Sequence, residues 1–353
     1  MALSIGIVGL PNVGKSTLFN ILTKKKVEAA NYPFCTIDPN VGVVKVPDKR
    51  LEKIAEISQP AKIIPTFIEF TDIAGLVKGA HEGEGLGNQF LSHIRECDAI
   101  CEVIRDFKDE NVIHIEGKIN PINDQETISM ELIFADLKTI EKRLEKINKE
   151  IKSNTKEALK QKEILEKIQK TLEEGQAVRS LNFKENDLPF IKSLNLLTIK
   201  PIIYALNSDE PEKADDFPWD GEIIKINVKI EEEIASLPEE EQEEYLKELG
   251  IAKSGLDKLI YSSYKLLGLE TFFTTGKDET RAWTIKKGSK APQAAREIHT
   301  DFEKGFIRAE VINWEKFIEA GSENRAKELG WIKTEGKDYI VKDGDICNFL
   351  IGK

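Results

Sequence analysis

Gly9-Leu10-Pro11-Asn12-Val13-Gly14-Lys15-Ser16-Thr17 is the stretch on which the fold of this 353-residue chain turns. It fits the pattern G-x-x-x-x-G-K-[ST], follows the apolar run at 4–8 and opens an amphipathic stretch at 15–23. A strand, a glycine-rich turn and a helix in that order make a phosphate cradle. The glycines let the backbone wrap a phosphate, so the amides of Val13, Gly14, Lys15, Ser16 and Thr17 converge at the positive end of a helix. Lys15 then meets the outer phosphates of a nucleoside triphosphate, and the Ser16 hydroxyl ligates Mg²⁺.

Outward from that turn, strand-like runs at 41–47, 66–71, 99–104, 201–206 and 222–226 alternate with helical patterns at 87–95 and 256–267. The alternation predicts an α/β fold, a largely parallel sheet covered by helices on both faces. Asp72-Ile73-Ala74-Gly75 ends one of these strands and fits D-x-x-G. In that pattern Asp72 holds Mg²⁺, through water, and the Gly75 amide senses the γ-phosphate. Thr36, in the polar loop 31–40, is the second hydroxyl expected on the ion. Gly79, Gly83, Gly85 and Gly87 suit a loop that orders on γ-phosphate contact and relaxes after hydrolysis.

Between the two halves, Ile133, Leu137, Ile140, Leu144, Ile147 and Ile151 recur in alternating steps of four and three, the seam of a coiled coil. After a polar break at 152–155, Leu165, Ile168 and Leu172 give a second seam. Residues 129–195 therefore read as an antiparallel helical hairpin inserted between 1–128 and 196–268 of the sheet domain. Over 138–174 this arm carries 11 Lys/Arg against 8 Asp/Glu, although the whole chain has a net charge of −11. The acidic total argues against a wholly basic nucleic-acid binder, and the arm's excess leaves RNA and a protein partner both open.

Residues 269–353 read as a small α+β domain, with strand-like pieces at 271–275, 281–285 and 337–341. Ser236-Leu237-Pro238-Glu239 reads as a capping box opening an acid-rich helix. The longest apolar runs fall short of the roughly 20 residues of a membrane span. The start of the chain has no cationic leader, and Cys35, Cys97, Cys101 and Cys347 lack C-x-x-C spacing and read as reduced thiols. A soluble, cytoplasmic monomer is expected.

GTP-specific proteins of this class carry N-K-x-D after a later strand; here the corresponding place reads Asn207-Ser208-Asp209-Glu210. Glutamate moves the carboxylate by one methylene, and Ser208 has no stem to cover a base, so guanine preference weakens. Positive choice of adenine does not follow from these residues alone. Leu76 stands where many relatives place a water-orienting glutamine, which predicts slow turnover or a positioning group from elsewhere. Of the four histidines, His81 lies in the glycine-rich loop and His114 on an extended piece at 112–115; a structural role is the plainer reading for each.

The stretches 6–20, 29–44 (with Tyr32-Pro33-Phe34-Cys35-Thr36), 72–96 and 291–307, together with N-x-x-E at 207–210, resemble the YchF or Obg-like ATPases. The resemblance runs in order along essentially the whole chain. It implies a P-loop NTPase sheet with a coiled-coil insertion and, at 269–353, a TGS domain of β-grasp fold. It also implies preference for ATP over GTP, read at Asn207, Ser208 and Glu210, and a water-positioning role for His114. Asn12 matches an asparagine that binds K⁺ in cation-activated relatives. Ribosomes or the large ribosomal subunit are the implied partner, met by the arm and the TGS domain. One departure is Asn227-Val228-Lys229, where relatives carry Ser-Ala or Cys-Ala; Val228 adds bulk beside the base. The rival reading is a binding module whose nucleotide site only tunes affinity.

Overall fold

The computed structural model describes residues 3–24, 40–74, 86–109, 112, 117–151, 156–211, 216–251 and 254–352. They form two compact units, 1–43 with 69–259 and 44–68 with 260–353.

The first unit is built on a six-stranded sheet in the order Val41–Lys45, Phe67–Asp72, Ser4–Gly9, Ala99–Asp106, Ile202–Ser208, Glu222–Ile226. The pairings from Phe67–Asp72 across to Glu222–Ile226 are all parallel. Ile5, Ile7, Val8, Ile100 and Ile203 are fully buried. Parallel strands covered on both faces need such continuous apolar runs, which is why they stand out in the sequence. The registers Ile7↔Asp72, Gly9↔Val103 and Asp106↔Ser208 bring the carboxyl ends of four strands to one edge. In open α/β sheets that edge is where ligands bind.

The arm consists of helices Pro121–Glu150 and Lys156–Glu173. Asn120 caps the first, its side chain accepting from the Asn123 amide, and Pro121 takes the first helical turn, where its missing amide costs nothing. Ile133, Ile140, Ile147, Leu165, Ile168 and Leu172 form the buried seam, with Leu137, Leu144 and Ile151 packed beside them. The spacing-based seam is therefore the packed one.

The second unit has its own six-stranded sheet, ordered Lys333–Glu335, Phe306–Asn313, Asp345–Ile351, Leu269–Thr275, Glu279–Lys286, Lys62–Ile64. Leu269–Thr275 and Glu279–Lys286 form an antiparallel hairpin, and Asp345–Ile351 returns parallel beside Leu269–Thr275. Helix Ala291–Ile298 packs on the sheet through Ala291, Ala294 and Ala295, against Phe272 and Ala309. This is a β-grasp arrangement, as the resemblance implied. Residues 44–68 join this unit: Leu51 and Ile54 of helix Lys49–Ser58 pack with Phe273 and Phe317, and Lys62–Ile64 pairs with Glu279–Arg281.

Two local readings are corrected. Residues 337–341 are a turn with one bridge, Lys290↔Ile340, because the Tyr339 amide bonds back to Gly336 instead of to a neighbouring strand. The capping box does not form: helix Glu239–Glu248 starts at Pro238 without a side-chain cap. Ser236 lies just past helix Val228–Ile234, and its hydroxyl donates back to the Glu232 carbonyl at 2.7 Å. A serine at a helix end takes that i−4 bond readily. Among the described residues, no helix is long and apolar enough to cross a membrane.

Candidate nucleotide site

The turn from Gly9 to Lys15 is shaped by two residues in the left-handed region, Asn12 at φ 64° and Gly14 at φ 94°. Val13 between them is buried, and helix Lys15–Lys24 starts at once, its Leu18 amide bonding to the Gly14 carbonyl at 2.9 Å. Successive amides that turn in this way make a concave anion nest at a helix N-terminus. Side chains are excluded from it sterically. A Cβ on Gly9 would lie 2.7 Å from the Val103 carbonyl oxygen, and one on Gly14 would lie 2.5 Å from Asn207 Nδ2.

Lys15 is nearly buried, and its ammonium forms an ion pair with Asp72 Oδ1 across the sheet edge. Asp72 is fixed by its backbone: its amide donates to the Asn40 carbonyl at 2.8 Å. The cradle, its lysine, the exposed Ser16 and the D-x-x-G aspartate thus meet at one place. Thr36, Gly75, Leu76, His81 and His114 lie outside the described residues. The buried guanidinium of Arg105 donates to the carbonyls of Phe107, Asp109 and Val112.

At the base end, Asn207 is a brace between loops. Its Nδ2 donates to the Val13 carbonyl at 3.0 Å, and its Oδ1 accepts from the Val228 amide at 3.1 Å. The Ser208 hydroxyl donates to Asp106 at 3.0 Å and accepts from the Glu210 amide at 3.2 Å. Asp209 accepts from the Lys108 amide at 2.8 Å. Asp209 and Glu210 are exposed. Asp106 and Lys108 carry no sequence signal; the strand register sets Asp106 opposite Ser208, and Lys108 follows just past the strand.

The described cysteines lie in the core. Cys97, Cys101 and Cys347 are buried free thiols, and burial pushes Cys101 up to about 12. Such a thiol is inert. Among the described residues no group of three His, Cys, Asp or Glu side chains could hold a metal ion.

Comparison with known proteins agrees with this geometry. Residues 4–165 match a family described as 50S ribosome-binding GTPase, and residues 269–352 match YchF-GTPase_C, described as a protein of unknown function. The chain is 53% identical over 362 residues to the "Ribosome-binding ATPase YchF" of Bacillus subtilis, covering 99% of both chains. It belongs to the YchF family. The Escherichia coli O157:H7 YchF is 50% identical over 361 residues, again with 99% of both covered. The solved Schizosaccharomyces pombe YchF GTPase superposes with a TM-score of 0.88 at 40% identity, over 99% of this chain and 98% of that one. The family's P-loop NTPase fold with a separate C-terminal domain is thereby established for this chain. The names given to these YchF proteins divide between ATPase and GTPase, which makes base choice the question to settle.

Proposed function

We propose that this chain is a ribosome-binding ATPase that cleaves ATP to ADP and phosphate and uses its nucleotide state as a switch in translation or stress response, acting as a cytoplasmic monomer. The observation that carries the proposal is the meeting of Gly14, Lys15 and Asp72 at the sheet edge, braced by Asn207 to the base end.

The amides around Val13 and Gly14 hold the phosphates while Lys15 exchanges Asp72 for phosphate oxygens. Ser16 and Asp72 offer the hard oxygen donors that suit Mg²⁺, with Thr36 as the further hydroxyl. When bound there, Mg²⁺ neutralises phosphate charge. Asn12 is the residue placed to add K⁺, and the Gly75 amide reports the γ-phosphate. Because Leu76 has no group to orient water, turnover is slow and His114 supplies the positioning. Adenine is favoured over guanine at Asn207, Ser208 and Glu210, a segment held in place by the bonds from Asn207 to Val13, Ser208 to Asp106 and the Lys108 amide to Asp209. The arm and the C-terminal domain face ribosomal RNA, on the large subunit.

Measuring ATP turnover with and without K⁺ and 50S subunits tests this, with Lys15→Ala as control. Removing a phosphate-neutralising group should cost about 10²–10³-fold. Stimulated turnover well above the control supports the enzyme reading. Rates equal to the control under every condition favour the rival, a module whose nucleotide only tunes partner affinity.

A further inference from the structure

A polar joint at the foot of the arm has no role in the chemistry above. Asp136, on helix Pro121–Glu150, is completely buried beneath the segment 196–200. Its carboxylate accepts from the amides of Leu197 at 2.9 Å and Thr198 at 2.8 Å, and from the Thr198 hydroxyl at 2.7 Å. The arm's returning end grips the same segment. The Val178 amide donates to the Thr198 hydroxyl at 3.2 Å, and the Arg179 guanidinium donates to the Thr198 carbonyl at 3.2 Å. Arg179 is itself held by a two-pronged ion pair with Asp220, at 2.7 and 3.1 Å.

The other end of that short segment lies at the amino ends of the strands, the sheet edge opposite the cradle. Lys200 extends its ammonium to the carbonyls of Arg95, at 3.0 Å, and Cys97. These belong to the last turn and exit of helix Leu86–Glu96, the helix that follows the D-x-x-G stretch. The last carbonyls of a helix lack partners within it, so a lysine there holds the helix end by charge-assisted bonds. From Asp136 to Cys97, every step is a hydrogen bond to a buried or half-buried group.

We propose that Lys200 is a positioning residue through which the arm and the helix Leu86–Glu96 act on each other. A partner that shifts the arm's foot moves 196–200, and Lys200 carries that movement to the C-terminal end of helix Leu86–Glu96, whose other end follows the D-x-x-G stretch in sequence. The reverse path carries nucleotide state to the arm. The second direction rests on the ATPase reading; the mechanical link does not.

Amide hydrogen exchange on the full chain separates the two. Without nucleotide, Asp136→Asn should speed exchange of amides 94–98 about fivefold, the effect of weakening one buried hydrogen bond. In a Lys200→Gln background the same substitution should add nothing further, while Lys200→Arg, which also reaches two carbonyls, should restore the response. Additive effects, or no change at 94–98 on altering Asp136, overturn the proposal. If Asp136→Asn fails to fold, Thr198→Val removes the hydroxyl bond instead. With Mg²⁺ and an unhydrolysable ATP analogue, exchange at 196–200 should slow in the parent chain and not in Lys200→Gln. Equal slowing in both overturns the proposal. An analogue that gives no heat on titration defeats the ATPase reading, yet leaves the nucleotide-free comparison decisive.

Discussion

At the phosphate end of the crevice a contiguous run, Gly9 to Thr17, supplies the whole cradle from its own backbone. At the base end, by contrast, Asn207, Ser208 and Asp209 are each held by a partner 101 to 194 positions away. Phosphate recognition by main-chain amides needs only a local conformation, so it can be written in consecutive residues. The segment proposed to meet the base is instead positioned by side-chain contacts between distant residues, so it is spread over the sheet edge. The two ends touch at one residue, Asn207, which holds Val13 with one end of its amide and Val228 with the other.

Substitutions at that contact should have the largest effect. Gly14→Ala places a Cβ 2.5 Å from Asn207 Nδ2 at a backbone φ of 94°, so both strain and clash apply. A loss of about 2–4 kcal/mol in thermal or denaturant unfolding is expected, along with loss of nucleotide binding. A Gly14→Ala protein as stable and active as the parent would mean that the two ends are not braced together. Asn207→Ala leaves a buried carbonyl and a buried amide unmet, costing roughly 2 kcal/mol. Nucleotide affinity should fall with it, for ATP and GTP alike, because the brace shapes the cradle and not the base contact.

Glu210→Asp sharpens the comparison from the other side. The side chain is exposed, so unfolding should be unchanged while the ATP-to-GTP affinity ratio shifts toward GTP by about tenfold. The smallest effect belongs to a buried acid that neither end uses. Glu102 is completely buried without a hydrogen-bond partner, and burial holds its carboxyl well above the usual carboxylate range. The folded chain keeps a proton there that the unfolded chain releases above about pH 4.5, so stability falls as pH rises between the two values. Glu102→Gln should therefore melt higher than the parent at pH 8, by roughly 2–4 °C, with the gap closing at pH 5 and nucleotide binding untouched at both.

These contrasts follow what was readable in the chain. The cradle, the D-x-x-G strand and the arm's seam were legible because each is a contiguous or periodic pattern. The Asp106 and Lys108 tethers were not, since neither residue belongs to a motif; the strand register sets Asp106 beside Ser208, and a hydrogen bond just past the strand ties Lys108 to Asp209. The packing of 44–68 with the β-grasp unit was hidden for a similar reason: no shift in composition marks it, and Leu51 and Ile54 look like any amphipathic face. Residues 337–341 misled because Tyr339, Ile340 and Val341 look strand-like, whereas the flanking Gly336 and Gly344 bend the chain into turns.

A competition titration in Mg²⁺, with ATP and GTP each displacing a fluorescent ATP analogue from the full chain and from Lys15→Ala, bears most directly on the account. Displacement by ATP at lower concentration than GTP, with the analogue failing to bind Lys15→Ala, is the predicted result. Tighter displacement by GTP, or analogue binding that ignores Lys15, would contradict it.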